Sequence, residues 1–254
     1  MRLTALPAFE DNYVWTLAAD DGAAIVVDPG QAGPVLEAAG QGLRPAAILI
    51  THHHGDHVDG VRELLARWPA LPVFAPQDER LDFPYHAVAD AQVLDITGHA
   101  FRVIAVPGHT RTHVAYAGAE VVFSGDTLFS LGCGRMFEGT PPQMLASLKR
   151  LAALPATTLL CCGHEYTLSN ARFALQVDPS NAALQRRQQE ALAMRHAARP
   201  TLPISLESEL ATNPFLRTQA VEIRHAVAGR LGRAPRDEVE TFAELRRWKD
   251  DFRA

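Results

Sequence analysis

Seven histidine and aspartate residues stand just past the ends of apolar, β-branched runs, and this placement constrains the chain more tightly than any other feature. Ile48-Leu49-Ile50 leads into Thr51-His52-His53-His54-Gly55-Asp56-His57. Phe101-Arg102-Val103-Ile104-Ala105-Val106 is broken by Pro107-Gly108, and His109 follows. Glu120-Val121-Val122-Phe123-Ser124 ends in Gly125 before Asp126, and Thr157-Thr158-Leu159-Leu160-Cys161-Cys162 ends in Gly163 before His164. Short runs of this kind, closed by Gly or Pro, read as buried strands. Strands that each deliver a polar residue past their last position predict a cluster at one edge of a sheet.

Phase sorts the His-rich segment. On extended chain His52 and His54 point the same way and His53 points opposite. Asp56 and His57 follow a turn at Gly55 and approach from another direction. Imidazole and carboxylate together suit zinc, iron or manganese. One tetrahedral zinc takes about four ligands, about three of them from protein when a position stays open for catalysis. His52, His54, Asp56, His57, His109, Asp126 and His164 are too many for one ion and fit two ions sharing a carboxylate. His86, His99, His196 and His225 lack the strand-end context and read as ordinary structural histidines. His113 reads as a supporting group rather than a ligand.

Composition sets the outer limits. The chain has 254 residues, 47% of them hydrophobic and 21% charged, which is enough for a large core in one domain or two. Its net charge is -5, with no lysine- or arginine-rich block, which argues against a nucleic-acid partner. No apolar run reaches the length of a membrane span, and the first ten residues lack the apolar stretch of a signal peptide. The three cysteines, two of them adjacent, give no disulfide framework, so the expected setting is a reducing cytoplasm.

Up to about residue 165, short strands alternate with helical stretches such as 59–67 and 143–154, which suggests sheets with helices outside, an α/β class. Beyond Tyr166 the strand signals stop. Asn181 caps an expected helix to about Ala197, Thr218 to Leu231 reads as a second, and Asp237 to Phe252 as a third with Val239, Phe242, Leu245, Trp248 and Phe252 in one stripe. The organisation expected is a metal-binding domain over 1–165 and a helical domain over 166–254.

The His-rich segment resembles the T-H-x-H-x-D-H signature of the metallo-β-lactamase superfamily. The chain is also similar to the glyoxalase II (hydroxyacylglutathione hydrolase) family. That similarity rests on Pro7-Ala8-Phe9-Glu10-Asp11-Asn12-Tyr13, Gly132-Cys133-Gly134-Arg135-Met136-Phe137-Glu138-Gly139, Thr212-Asn213-Pro214-Phe215-Leu216-Arg217 and Arg246-Arg247-Trp248-Lys249-Asp250. The resemblance implies an αββα sandwich followed by a small C-terminal helical domain. It implies that one ion takes His52, His54 and His109, the other takes Asp56, His57 and His164, and Asp126 bridges, with zinc favoured over iron or manganese. Arg135, Phe137, Tyr166, Arg246 and Lys249 match its substrate contacts. The sequence departs from some members by carrying Phe137 for tyrosine and Arg135 for lysine.

The chemistry implied is hydrolysis of S-D-lactoylglutathione to D-lactate and glutathione, the second step of methylglyoxal detoxification, by a monomer with no membrane or nucleic-acid partner. Water held between two divalent ions ionises near neutral pH, and Asp56 lies where it could accept or steer that proton. A thiol of pKa about 8.5 leaves as thiolate without a dedicated general acid. Arg246 and Lys249, three apart on a helix, can hold one anion together. The competing readings are a mono-iron persulfide dioxygenase, which should lack the C-terminal helices, and a non-catalytic metal or redox partner of the flavodiiron type, which resembles H-x-E-x-D instead.

Overall fold

The aliphatic runs assemble into two six-stranded sheets in a computed structural model that describes residues 1–253. In the first sheet β1 (Arg2–Ala8), β2 (Asn12–Ala18), β3 (Ala23–Val27), β4 (Arg44–Leu49), β5 (Val73–Pro76) and β6 (His86–Val88) lie in chain order. The first three pair antiparallel and the last four parallel. Every residue of β2 is buried, so this strand shows no alternation in its burial.

The second sheet contains β7 (Val93–Ile96), β8 (His99–Ala105), β9 (Val114–Gly118) and β10 (Val121–Gly125), joined as antiparallel hairpins. A short hairpin of β11 (Leu128–Phe129) and β12 (Gly132–Cys133) follows. With β13 (Leu159–Cys162) and β14 (Ile204–Ser205) the second sheet runs β14-β13-β10-β9-β8-β7. The helices are α1 (Gly33–Gly40), α2 (Gly55–Val58), α3 (Val61–Arg67), α4 (Pro141–Ala152), α5 (Thr167–Val177), α6 (Ala182–His196), α7 (Leu206–Thr212), α8 (Val221–Leu231) and α9 (Glu238–Asp251).

The chain forms two compact units. The first comprises Met1–Ala105, Thr112–Gly125 and Cys161–His164; the second comprises Val106–Arg111, Asp126–Leu160 and the chain from Glu165. In the first, Val35 of α1 and Val61 and Leu64 of α3 bury against Val26, Ile48 and Val73 of the first sheet and Ile50 just past β4. Removing such side chains from water contributes roughly 1.5–3 kcal/mol each. The Tyr116 hydroxyl, fully buried in β9, donates to the Ile50 carbonyl at 2.9 Å, which ties the second sheet to the residue before Thr51. In the second unit, Phe173 of α5 meets Phe215, Trp248 and Phe252, and Phe242 of α9 meets Phe215. The α9 stripe is thus core, with Phe242 and Leu245 fully buried.

Several boundaries differ from the sequence reading. The helix expected over 59–67 is present but starts at Val61, after Asp59-Gly60, and Gly55–Val58 forms a separate turn of helix carrying Asp56 and His57. Gly60 donates its N–H to the Pro29 carbonyl at 3.0 Å, and a Cβ there would fall 2.5 Å from that oxygen. Only glycine lets α3 start against the Pro29–Ala32 loop. Helix α4 starts at Pro141, two residues before the expected Gln143, because Thr140 and Gln143 form a capping box and proline suits the first helical turn. Strand signals do not stop at Tyr166: β14 pairs Ile204 and Ser205 with Leu160 and Leu159, too short a strand to show any period. Helices α5 and α7 are additions to the expected set: α5 starts without a side-chain cap, while Ser205 Oγ accepts from Ser208 N–H at 3.3 Å at the start of α7.

Asn181 caps α6 as expected, its Oδ1 accepting from Ala183 and Leu184 N–H at 3.1 Å each. Its Nδ2 also donates to Asp178 Oδ2 and the Ala211 carbonyl, both at 3.0 Å. Asn181→Ala should therefore cost about 1–2 kcal/mol and lower Tm by roughly 2–8 °C in a calorimetric scan. An unchanged Tm would show that α6 does not depend on this cap.

Candidate metal centre

Of the predicted ligands, His52, His54, Asp56, His57 and His164 belong to the first unit, and His109 and Asp126 to the second. In the first unit, ligand atoms of Asp56, His57 and His164 lie within 4.8 Å of one another. Asp56 Oδ2 is 3.3 Å from His164 Nε2 and 3.5 Å from His57 Nε2. His52 Nε2 and His54 Nδ1 converge at 3.1 Å, and the His52 and His57 ring centres are 4.2 Å apart. His53 turns to other company, its Nδ1 3.5 Å from Asp78 Oδ2. The Asp78 carboxyl is held well below the usual range, chiefly by hydrogen bonds from Arg80. His113 stacks on His52 at 4.6 Å.

The first unit also decides which nitrogen of each ring faces the cluster. Asp28 Oδ2 lies 3.0 Å from His57 Nδ1, and a carboxylate can only accept, so Nδ1 carries the proton and Nε2 presents its lone pair. Asp11 Oδ1 does the same for His164 Nδ1 at 2.8 Å. His52 is set at one remove. Thr51 Oγ1 donates to Asp28 Oδ2 at 2.7 Å, so it accepts from His52 Nδ1, 3.0 Å away. Carboxylate–histidine pairs of this form orient metal ligands and raise their basicity.

The second unit holds His109 and Asp126, with His109 Nε2 at 3.5 Å from Asp126 Oδ2. His109 Nδ1 donates to the Arg135 carbonyl at 2.9 Å, which again leaves Nε2 as the basic atom. Phe137 N–H donates to the His109 carbonyl at 3.2 Å, and its exposed ring packs edge-on to the imidazole at 5.2 Å. Gly134 approaches so closely that a Cβ would fall 1.9 Å from the Asp126 carbonyl. The Gly132–Phe137 segment is thereby fastened to both ligands. The donors, imidazole nitrogens of His52, His57, His109 and His164 with their tautomers set by outward partners and the carboxylates of Asp56 and Asp126, are of the kind that suits a divalent metal.

The expected substrate contacts also lie in the second unit. Arg246 is 4% exposed, its Nη1 donating to the Cys133 carbonyl at 2.7 Å and its Nη2 to Asp250 Oδ1 at 3.0 Å, while its Nε has no hydrogen-bond partner. Arg135 Nε sits 3.5 Å from the same Asp250 oxygen. Lys249 Nζ reaches Ser169 at 3.4 Å. Burial, with the nearby Arg246 and Arg135 cations, brings the Lys249 ammonium down to about 8, against an opposing pull from Asp250. Burial also pushes the Cys133 thiol up to about 11. Tyr166 is half-exposed, its ring edge-on to Phe129.

Residues 9–164 match the model of the Metallo-beta-lactamase superfamily, and residues 165–252 match the Hydroxyacylglutathione hydrolase C-terminus. A hydroxyacylglutathione hydrolase of Xanthomonas axonopodis pv. citri (strain 306) is 68% identical over 255 residues, covering 100% of both chains. This chain belongs to the hydroxyacylglutathione hydrolase family. It is a hydrolase of the metallo-β-lactamase superfamily, and its His/Asp clusters are those of a divalent-metal protein. Among solved structures, the BLEG-1 B3 metallo-beta-lactamase shares the fold at TM-score 0.63 and 24% identity, over 85% of this chain and 99% of that one. TTHA1623 in a di-iron-bound form aligns at TM-score 0.60 and 27% identity, over 85% and 100%.

The sequence reading missed Asp28 and Asp11 as members of the site. Asp28 carried the same signal as Asp126, a carboxylate one residue past a buried strand, but Pro29-Gly30 behind it read as a plain turn. Asp28→Asn replaces one acceptor oxygen by a donor and should weaken metal uptake by roughly 10–100-fold, whereas His53→Ala should leave it near the native value. Calorimetric titration of the metal-stripped proteins checks both, and equal loss in the two variants would contradict the orientation of His53.

Proposed function

We propose that this protein hydrolyses the thioester of S-2-hydroxyacylglutathiones, S-D-lactoylglutathione foremost, releasing D-lactate and glutathione. The match of residues 165–252 to the family's C-terminal segment carries this reading, because the persulfide dioxygenase alternative should lack those helices. The same reading puts the catalytic metal set on 1–165 and substrate recognition on 166–254 together with Arg135 and Phe137, in a reducing cytoplasm that suits three free cysteines.

His52, His54 and His109 would hold one ion, Asp56, His57 and His164 the other, and Asp126 both; zinc is favoured, with iron or manganese also suited to these donors. Bound there, divalent ions lower the pKa of water and polarise the thioester carbonyl. The chain's own part is orientation. Asp28, Asp11 and the Arg135 carbonyl keep imidazole lone pairs turned to the clusters. Asp56, 42% exposed at its side chain, can take up a proton from attacking water. Lys249, Arg135 and Arg246 together carry more positive charge than the Asp250 carboxylate offsets, which suits a glutathione carboxylate. Phe137 offers an aromatic face without a hydroxyl.

Release of thiol from a panel of glutathione thioesters tests the activity, with elemental analysis alongside. Active protein should carry close to two equivalents of divalent metal, lose activity to a chelator and recover it on readdition. Full activity with one equivalent would exclude the binuclear assignment.

The Lys249 value sets a pH dependence. The depressed ammonium is charged below about pH 8 and neutral above it, so KM for an anionic glutathione thioester should climb as pH rises through that value while kcat changes little. A charged hydrogen bond contributes about 1.5–3 kcal/mol, so the climb should approach tenfold or more. Lys249→Met should show the raised KM at all pH values and no such limb. A pH-independent KM in the native protein would remove Lys249 from substrate binding.

A further inference from the structure

Asn12 takes no part in the chemistry above, yet its side chain reaches across the first sheet to Asp56. Its Nδ2 donates to Asp56 Oδ2 at 2.9 Å and to the Asp56 carbonyl at 3.3 Å. The same Oδ2 faces His164 Nε2 and His57 Nε2. We infer that Asn12 is a positioning residue that sets the affinity of one metal position, the one built on Asp56, His57 and His164. The inference rests on the binuclear reading proposed above.

Three observations support it. The Asp56 side chain is 42% exposed, so burial alone does not choose its rotamer, and the Asn12 amide adds a directed hydrogen bond to the same oxygen that faces His57 and His164. Asn12 is itself fixed: it is 7% exposed, bridges His164 through the backbone, and is followed by Tyr13, whose N–H donates to the Gly163 carbonyl at 2.8 Å. Its neighbour Asp11 holds His164 Nδ1. One dipeptide at the start of β2 thus secures two of the three ligands. The donor is also neutral. An amide orients the carboxylate and leaves its negative charge for a cation, where a lysine would cancel it.

The effect should therefore fall on one equivalent of metal. Metal-stripped native protein and Asn12→Ala, titrated calorimetrically with Zn(II) and with Mn(II), should both take two equivalents. In the variant one should keep its native affinity and the other weaken roughly 10–100-fold. Asn12→Gln, which retains the amide on a longer stem, should recover part of that loss, and Tm should stay near native in both. Native protein binding fewer than two equivalents would overturn the binuclear reading itself. Two equivalents of unchanged affinity in Asn12→Ala would overturn the role of Asn12 alone. Equal weakening of both equivalents with no recovery in Asn12→Gln would also overturn it, as the mark of a general structural effect.

Discussion

The Asp28 carboxylate is the constraint on which the first metal group depends. It is 4% exposed and accepts from Thr51 N–H at 2.8 Å, from Thr51 Oγ1 and from His57 Nδ1. A buried carboxylate needs its charge met by donors, and here the donors are the residue that starts the His-rich segment and a ligand from its far end. One anion thereby sets the register of Thr51 after β4 and the tautomer of His57, and through Thr51 that of His52. Asp28 adopts the left-handed backbone conformation, with φ 50°. That conformation costs a non-glycine residue energy, and such strain persists where surrounding contacts demand it.

The second unit solves the matching problem by different means. Its metal-type residues lie beside a loop, so their geometry depends on what fastens the Leu128–Cys133 hairpin. Glu209 of α7, fully buried, accepts from Ser130 Oγ and Leu131 N–H at 2.8 Å each. Asn213 donates to the Phe129 and Gly132 carbonyls at 3.1 and 3.0 Å, and Asn170 of α5 to the Ser130 carbonyl at 3.0 Å. Burial pushes the Glu209 carboxyl pKa up, opposed by these donors. Residues from the helical segment thus secure the loop that runs from Asp126 to Arg135. The helices help to fix the segment that holds His109 and Asp126 in place.

Arg246, buried and bonded to the Cys133 carbonyl, supports the hairpin while contributing charge to Lys249 and Arg135. A substitution there removes packing and a hydrogen bond together with a cation. Lys249, less enclosed and with a perturbed pKa, is the cleaner probe of anion recognition.

The metal-type residues were legible in the sequence because each follows a strand whose apolar, β-branched composition is local information. The same holds for the α6 cap at Asn181, and for the α9 stripe, which follows a 3.6-residue period. The tertiary structure alone decided the partners of those ligands. Asp28 meets His57 across 29 positions, Asp11 meets His164 across 153, and Asn12 meets Asp56 across 44. No periodicity links such pairs, since sheet pairing and not chain distance brings them together. The split of α2 from α3 at Gly60 and the two-residue β14 belong to the same class: one depends on contact with the Pro29–Ala32 loop, the other on pairing with β13. Local composition named the metal-type groups, while long-range packing chose which nitrogen each imidazole presents.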